Sequence, residues 1–332
     1  MKRNVFVAIA LVALVVCSSW GFLAHRTIHQ LAIYQLPKGL QSFFYSQKEY
    51  LVKQAVRPDE RRNSDSTEAN KHFIDFEAFG DSAAWKMPHN WSAAVQRYSK
   101  DTLLEYGYVP YQVMVVKARL TEAFRQKNKD SILFYAADLG HYIADAHVPL
   151  HTSINYDGQL TGQKGLHSLW ESVVPEIELT NFNLYNKHKA QYLKHPEERL
   201  WKALQEAHVL VSDVFRQEKE ATKEFTDSTK YRTQVRRGRE VKSYTTAFAK
   251  AYNARLNNTI NEQLLKSSNM VADFWYTAWV DAGKPDLSSL VKPMTDEEKA
   301  AYKQEVKAYK KNELLKNKLL IARRDQREGA GE

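Results

Sequence analysis

Apolar positions in this chain fall mostly into stretches with helical spacing, broken where proline or glycine intervenes. The pattern predicts a helix over His25–Leu36 that stops at Pro37, and a second over Gly39–Val56 that ends at Pro58. Trp91–Tyr106 and Tyr111–Lys127 read as helices separated by Pro110. Ser131–His147 is strongly helical and closes at Pro149. Leu166–Val174 and Glu197–Glu220 follow, and the longest predicted helix is Val241–Ala282, terminated by Gly283 and Pro285. Within it Tyr244, Phe248, Tyr252, Leu256, Ile260 and Leu264 lie four apart, followed by Val271, Trp275 and Trp279. Such a row runs along one helix face and reads as core packing. Residues 59–92 and 152–165 scatter Asn, Asp, Ser, Gly and Pro and are expected to be irregular. The basic run Lys230–Lys242 reads as a solvated loop, and residues 295–332 as a peripheral helix or frayed tail. The fold class is therefore all-α, with one mostly helical domain over residues 20–290 and a charged segment over 291–332.

Composition fits this picture. The chain of 332 residues has 12% aromatic residues, enough for a packed core, and only 12 Gly and 9 Pro, too few for a sandwich of short strands. Residues 1–19 read as a secretory signal, with Lys2 and Arg3, an apolar run from Val5 to Val16, and the small residues Cys17-Ser18-Ser19 for cleavage. The apolar run is short for a retained anchor, and Val16 is large for a residue preceding a lipid-modified cysteine. Cleavage after Ser19 makes Trp20 the new amino terminus of an exported protein. Cys17 is the only cysteine, so the mature chain has no disulfide to rigidify it, and a metal cluster could do that work instead. The net charge of +9 is misleading. With Lys2 and Arg3 gone and the net +5 of residues 299–332 set aside, residues 20–298 carry only +2. A basic surface for nucleic acid does not follow from the pI.

The chemistry lies in the histidines, 11 in all, several placed a helical turn from a carboxylate. In His141-Tyr-Ile-Ala-Asp145-Ala-His147-Val-Pro-Leu-His151, His141 and Asp145 share a helix face and can meet one cation, while His151 lies just past the Pro149 stop. His167-Ser-Leu-Trp-Glu171 repeats the spacing. His72-Phe-Ile-Asp75 lies in the irregular region, and Trp20-Gly-Phe-Leu-Ala-His25 opens the mature chain. One such pair is commonplace on a helix surface. Several together, all nitrogen and oxygen donors without thiolate, favour zinc or a similar borderline cation over calcium.

These blocks resemble the superfamily of single-strand-specific zinc nucleases (the S-one and P-one type) and bacterial zinc-dependent phospholipases C. The similarity runs from Trp20 to about Glu176 with the motifs in family order. It implies three zinc ions at the heart of the helical domain. One would be held by Asp59, His72, His141 and Asp145. A second would be held by Asp145 as a bridge, His25, and the free amine and carbonyl of Trp20. A third would be held by His151, His167 and Glu171. Asp59 is placed from Pro58-Asp59-Glu60-Arg61-Arg62, whose spacing makes Arg62 the phosphate-contacting arginine. Asp59, Arg62 and Asp145 are then the catalytic residues, and Phe73 and Asp75 contact a base. Coordination lowers the pKa of bound water to about 7, giving a nucleophile for in-line attack on phosphorus. The resemblance thus implies a phosphodiesterase acting on single-stranded nucleic acid or on phospholipid headgroups, with no protein partner.

The nuclease reading is favoured by the short Trp20-to-His25 spacing, Arg62, and Phe73 as a stacking platform. Glu171 in place of Asp, and a loop before His167 without Gly-Gly-Asn, resemble phospholipase C, whose N-terminal insertion is nevertheless missing. A zinc-binding protein without turnover is the alternative of another class. His29 and His147 are expected to be packing residues or to support ligands, and His89, His188, His195 and His208 to lie on the surface. Asp75 could also hydrogen-bond a ligand histidine.

Overall fold

The structure, a computed structural model, describes residues 21–236 and 239–328. The export segment 1–19, Trp20 and Arg237 of the basic run lie outside the described residues. Helix accounts for 67% of the chain, and the one β ladder among the described residues has two strands, so the all-α class holds. No described helix is long and apolar enough to cross a membrane.

The elements are α1 (Phe22–Gln35), α2 (Lys38–Ser46), α3 (Lys48–Gln54), α4 (Arg57–Arg61), α5 (Ala83–Lys86), α6 (Trp91–Tyr98), α7 (Lys100–Tyr106), α8 (Val109–Arg125) and α9 (Lys129–Asp145). They continue as α10 (Leu166–Ser168), α11 (Val174–Glu178), α12 (Pro196–Val209), α13 (Val211–Thr222), α14 (Asp227–Lys230), β1 (Tyr231–Arg236) and β2 (Arg239–Tyr244). The chain ends with α15 (Thr246–Arg255), α16 (Thr259–Asp281), α17 (Asp296–Lys310) and α18 (Ile321–Glu328).

Helices α1, α8, α9 and α16 pack on one another and form the centre. α9 starts where the Asn128 side chain accepts a hydrogen bond from the Ser131 amide, and stops ahead of Pro149. From Ala136 to Asp145 every residue of α9 is buried, so this helix is packed on all sides. Trp275 of α16 donates its indole N–H to the Ala136 carbonyl of α9 at 2.9 Å and stacks on Phe44 of α2. His29 of α1 is wedged between the carbonyls of His25, at 2.8 Å, and Ala137, at 3.0 Å. Gly140 makes that wedge possible, because a Cβ there would stand 2.4 Å from His29 Nε2.

Several predicted helices are divided. Gly39–Val56 breaks at Gln47 into α2 and α3, and Glu197–Glu220 breaks at Leu210 into α12 and α13. Trp91–Tyr106 breaks at Ser99, whose φ of 70° leaves the helical region and whose hydroxyl caps α7 through the Thr102 amide. The irregular stretch 59–92 holds most of α4, all of α5 and two short 3-10 turns.

The largest departure lies at Val241–Ala282. Val241–Tyr244 belongs to β2, which pairs with β1 in the register Tyr231↔Tyr244 to Arg236↔Arg239. The Thr245 hydroxyl then caps α15, and Asn257, at φ 57°, separates α15 from α16. The basic run is thus mainly a hairpin rather than a loop. Its base is anchored by Lys230, whose ammonium meets Glu218 at 2.7 Å beneath the rings of Tyr231, Tyr244 and Phe248. The apolar row from Phe248 to Leu264 remains buried despite the break. Nor is α17 frayed, for its buried Glu305 accepts from Tyr34, Tyr45 and Lys48 of the N-terminal helices.

Candidate metal centre

The site is assembled from four stretches of chain. His25 comes from the first turn of α1, and His141 and Asp145 from the last turns of α9. Asp59 comes from α4, and His72 follows the 3-10 turn Ala69–Lys71. His151 lies in the 3-10 turn Pro149–Thr152, and His167 and Glu171 lie in and after α10. Pro175 lacks an amide hydrogen, so the helical ladder cannot continue regularly, and Leu169–Val173 forms a wider π turn. Glu171 sits in that turn, a place where such turns often carry functional groups.

These side chains converge in three groups: His25 with His141 and Asp145, Asp59 with His72 and His141, and His151 with His167 and Glu171. In each group the ligand-type atoms lie within 4.8 Å of one another. Asp145 is 1% exposed and central. Its Oδ2 is 3.0 Å from His72 Nδ1 and 3.3 Å from His141 Nε2, and its Oδ1 is 3.5 Å from His25 Nε2. Asp59 Oδ1 faces His72 Nδ1 at 3.7 Å and His141 Nε2 at 3.8 Å. In the third group His151 Nε2 is 3.1 Å from His167 Nε2, which is 2.7 Å from Glu171 Oε2. Glu171 reaches further than its sequence spacing suggested, because its other oxygen lies 3.3 Å from His25 Nε2. It touches two groups at once.

Tautomers follow from the backbone. His141 Nδ1 lies 2.8 Å from the Ala55 carbonyl and His151 Nδ1 lies 2.7 Å from the His72 carbonyl. A carbonyl only accepts, so each ring carries a proton on Nδ1, which leaves Nε2, facing the centre, as the nitrogen that a cation can take. Inward-facing nitrogens of different rings approach to 3.1 Å in both the second and third groups, His72 Nδ1 with His141 Nε2 and His151 Nε2 with His167 Nε2. The set fits a borderline divalent cation: imidazole nitrogens and carboxylates, buried, with lone pairs aimed inward.

Charge is finely divided here. Burial lowers His141 to about 3, so it stays neutral beside the stacked His25 ring, 4.1 Å away. Burial also opposes protonation of His72 and His151, but Asp145 and Glu68 around the first, and Asp145 and Glu171 around the second, raise both to about 9. Against the same burial, the neighbouring histidines hold Asp145 and Glu171 below the usual carboxylate range.

A matching family description, S1/P1 Nuclease, covers residues 20–275. The chain belongs to the S1/P1 nuclease family. No curated protein matches it. Membership places this protein among metal-dependent nucleases, hydrolases that act on nucleic acid.

Around the centre of this S1/P1 family member, Arg62 is exposed, with its guanidinium 3.6 Å from Asp59 Oδ1. Phe73 is half-buried against Gly107, whose φ of 87° and 2.3 Å approach of a Cβ to the Phe73 carbonyl exclude other residues. Asp75 is buried, and burial followed by the charge of Glu77 pushes it up to about 7. Its carboxylate makes no hydrogen bond to a ligand-type histidine, contrary to one sequence expectation. His29 and His147 are buried as expected, each lowered by burial to about 4, so the neutral His29 ring donates its one proton to only one of the two carbonyls that face it.

Of the four histidines expected on the surface, only His195 is exposed. His89 stacks on Trp201 at 4.7 Å, His188 pairs with Asp273 at 2.8 Å, and His208 packs on Phe76 at 5.1 Å. Sequence reading passed over Glu68, which lies wholly buried behind His72. Its signal was the same four-residue interval that marks His141 and Asp145.

Proposed function

We propose that this protein is an exported phosphodiesterase that cleaves single-stranded nucleic acid with three zinc ions. The reading is carried by the convergence of His25, Asp59, His72, His141, Asp145, His151, His167 and Glu171 in three adjoining groups. Asp59, His72, His141 and Asp145 would hold one ion, His25 and Asp145 with the Trp20 amine and carbonyl a second, and His151, His167 and Glu171 the third. Zinc bound there supplies Lewis acidity toward a phosphoryl oxygen and a water nucleophile at neutral pH.

Cleavage after Ser19 would free the Trp20 amine. The adjacent Gly21 lies against Glu171, a Cβ there standing 3.1 Å from Oε1. Arg62, exposed at the rim, binds a phosphoryl oxygen of the substrate, and Asp59 steadies its guanidinium. Phe73 offers a ring for a base to stack on, and Asp75 a carboxyl for its polar edge. Near pH 7 Asp75 divides between donor and acceptor forms.

The test is a substrate panel with the mature chain: single-stranded DNA, RNA, phosphatidylcholine and a chromogenic phosphodiester. Each is assayed as purified, after chelation, and after zinc is restored. Hydrolysis of the nucleic acids, lost with chelator and regained with zinc, is the expected result. Headgroup release from phosphatidylcholine alone would replace the nuclease by a phospholipase C. Zinc binding without turnover on any substrate would make the chain a non-catalytic metal protein.

A further inference from the structure

We infer that Glu68 is the positioning residue of the centre, fixing the His72 ring so that Nδ1 faces Asp59, His141 and Asp145. The inference rests on reading those groups as a metal centre. The histidines of the centre differ in what orients them. His141 and His151 are oriented by backbone carbonyls, which take the Nδ1 proton and leave Nε2 facing inward. His72 is turned the other way. Its Nδ1 faces inward, 3.0 Å from Asp145 Oδ2 and 3.1 Å from His141 Nε2, and no backbone carbonyl receives its outer nitrogen. That outer Nε2 is buried, and Glu68 Oε1 stands 3.6 Å away, an ionic contact just outside hydrogen-bond distance. With a cation on Nδ1 the ring keeps its one proton on Nε2, and Glu68, a carboxylate that only accepts, is the group that faces it there.

Glu68 is itself immobilised. It is 0% exposed, and Arg61 grips both its oxygens, Nε to Oε2 and a terminal nitrogen to Oε1, each at 2.9 Å. Lys71 donates to Oε2 at 2.6 Å, and the Tyr142 hydroxyl donates to Oε1. Arg61 is anchored in turn on Asp138 of α9, at 3.0 Å. The neighbouring arginines therefore divide their tasks: Arg62 sits at the exposed rim, while Arg61 points inward and holds the carboxylate behind His72. This arrangement gives His72, which lies outside any long helix, an orientation tied to α9, the element that carries His141 and Asp145.

The experiment compares zinc affinity by chelator competition, together with melting of the metal-free and zinc-loaded forms, for wild type, Glu68→Gln and Tyr142→Phe. If Glu68 positions His72, E68Q weakens the affected ion by ~10–100-fold. Y142F disturbs the same network but keeps the carboxylate, so its affinity stays within about threefold of wild type. A purely structural Glu68 would lower both melting temperatures equally in E68Q with affinity unchanged, and that result overturns the inference. Should E68Q not fold, the wild-type protein decides. Loaded with zinc, it should show a slowly exchanging low-field proton on His72 Nε2 in proton–nitrogen NMR, and a proton found on Nδ1 refutes the inference. A wild-type protein that binds no zinc overturns the metal centre and the role of Glu68 together. Wild-type binding matched by E68Q overturns the role of Glu68 alone.

Discussion

Asp145→Asn is the most informative single change at this centre, because four imidazoles surround the carboxylate. His72 Nδ1 and His141 Nε2 lie 3.0 and 3.3 Å from Oδ2, and His25 Nε2 and His151 Nδ1 lie 3.5 and 3.9 Å from Oδ1. Asparagine keeps the shape, removes the charge and places an N–H group where an acceptor stood. Breaking a buried pairing of this kind costs roughly 3–5 kcal/mol. The ions add a second loss. If affinity falls about 100-fold, saturating zinc contributes ~2.7 kcal/mol less to the folded state. At about 2–4 °C per kcal/mol, each 3 kcal/mol of this combined deficit lowers the melting temperature by roughly 6–12 °C. Calorimetry with bound-metal analysis, each with and without chelator, measures both parts. Wild type should lose stability when chelated, whereas D145N should start lower and respond little. A D145N protein with wild-type zinc content, melting temperature and hydrolysis would refute the placement of Asp145 between the groups.

Three further changes test other parts of the argument. Gly140→Ala places a Cβ 2.4 Å from His29 Nε2, pressing α1 away from α9; a loss of roughly 2–3 kcal/mol in urea unfolding is expected, and an unchanged midpoint would show that the wedge yields freely. Lys230→Met leaves the buried Glu218 without its 2.7 Å partner and should cost about 3–5 kcal/mol, most of it recovered in the double variant K230M/E218L; equal stabilities of single and double variants would count against a buried ion pair. Asp75 has a folded pKa pushed up to about 7, above the unfolded carboxyl value, so the fold binds the extra proton and stability falls as pH rises through that value. Asp75→Asn should flatten the decline between about pH 4 and 7, and a wild-type curve identical to that of D75N across this window would contradict the assignment.

The helices were legible where spacing and stop signals agree. α1 and α9 each bury an apolar face and end at or near a proline, and both appear close to their predicted bounds. Spacing alone failed where a side-chain row continues through a change of backbone. Tyr244 and Phe248 are four apart and stacked at 5.0 Å, as helix neighbours would be, yet one ends a strand and the other begins a helix. The hairpin is set by long-range register and by the buried Lys230–Glu218 pair, neither of which leaves a local pattern. Ser99 and Asn257 break their helices through positive φ values that these residue types tolerate but do not announce. At the centre, the intervals from His141 to Asp145 and from His167 to Glu171 mark groups that do come together in space. Glu68 shares that interval with His72 and escaped notice because it lies in a polar, turn-rich stretch, where no helix pattern draws attention to it.

The physical reason these groups lie so deep is also what ties them to folding. His25, His72 and His141 are each 2% exposed or less and crowd around one carboxylate, while His25 Nδ1 and His72 Nε2 have no hydrogen-bond partner. Without a cation such an assembly keeps mutually repelling lone pairs or protons within about 3 Å, and buried polar groups left in that state weigh against the folded chain. Bound cations reverse the balance, because the converging nitrogens and carboxylates then surround positive charge. Ions in the first two groups would also join α1, the Asp59–His72 stretch and α9, parts of the sequence that no disulfide could link in a chain whose single cysteine is Cys17. On this argument the metal acts as a structural cross-link as well as a reagent, and stability and hydrolysis should be lost together as zinc is withdrawn.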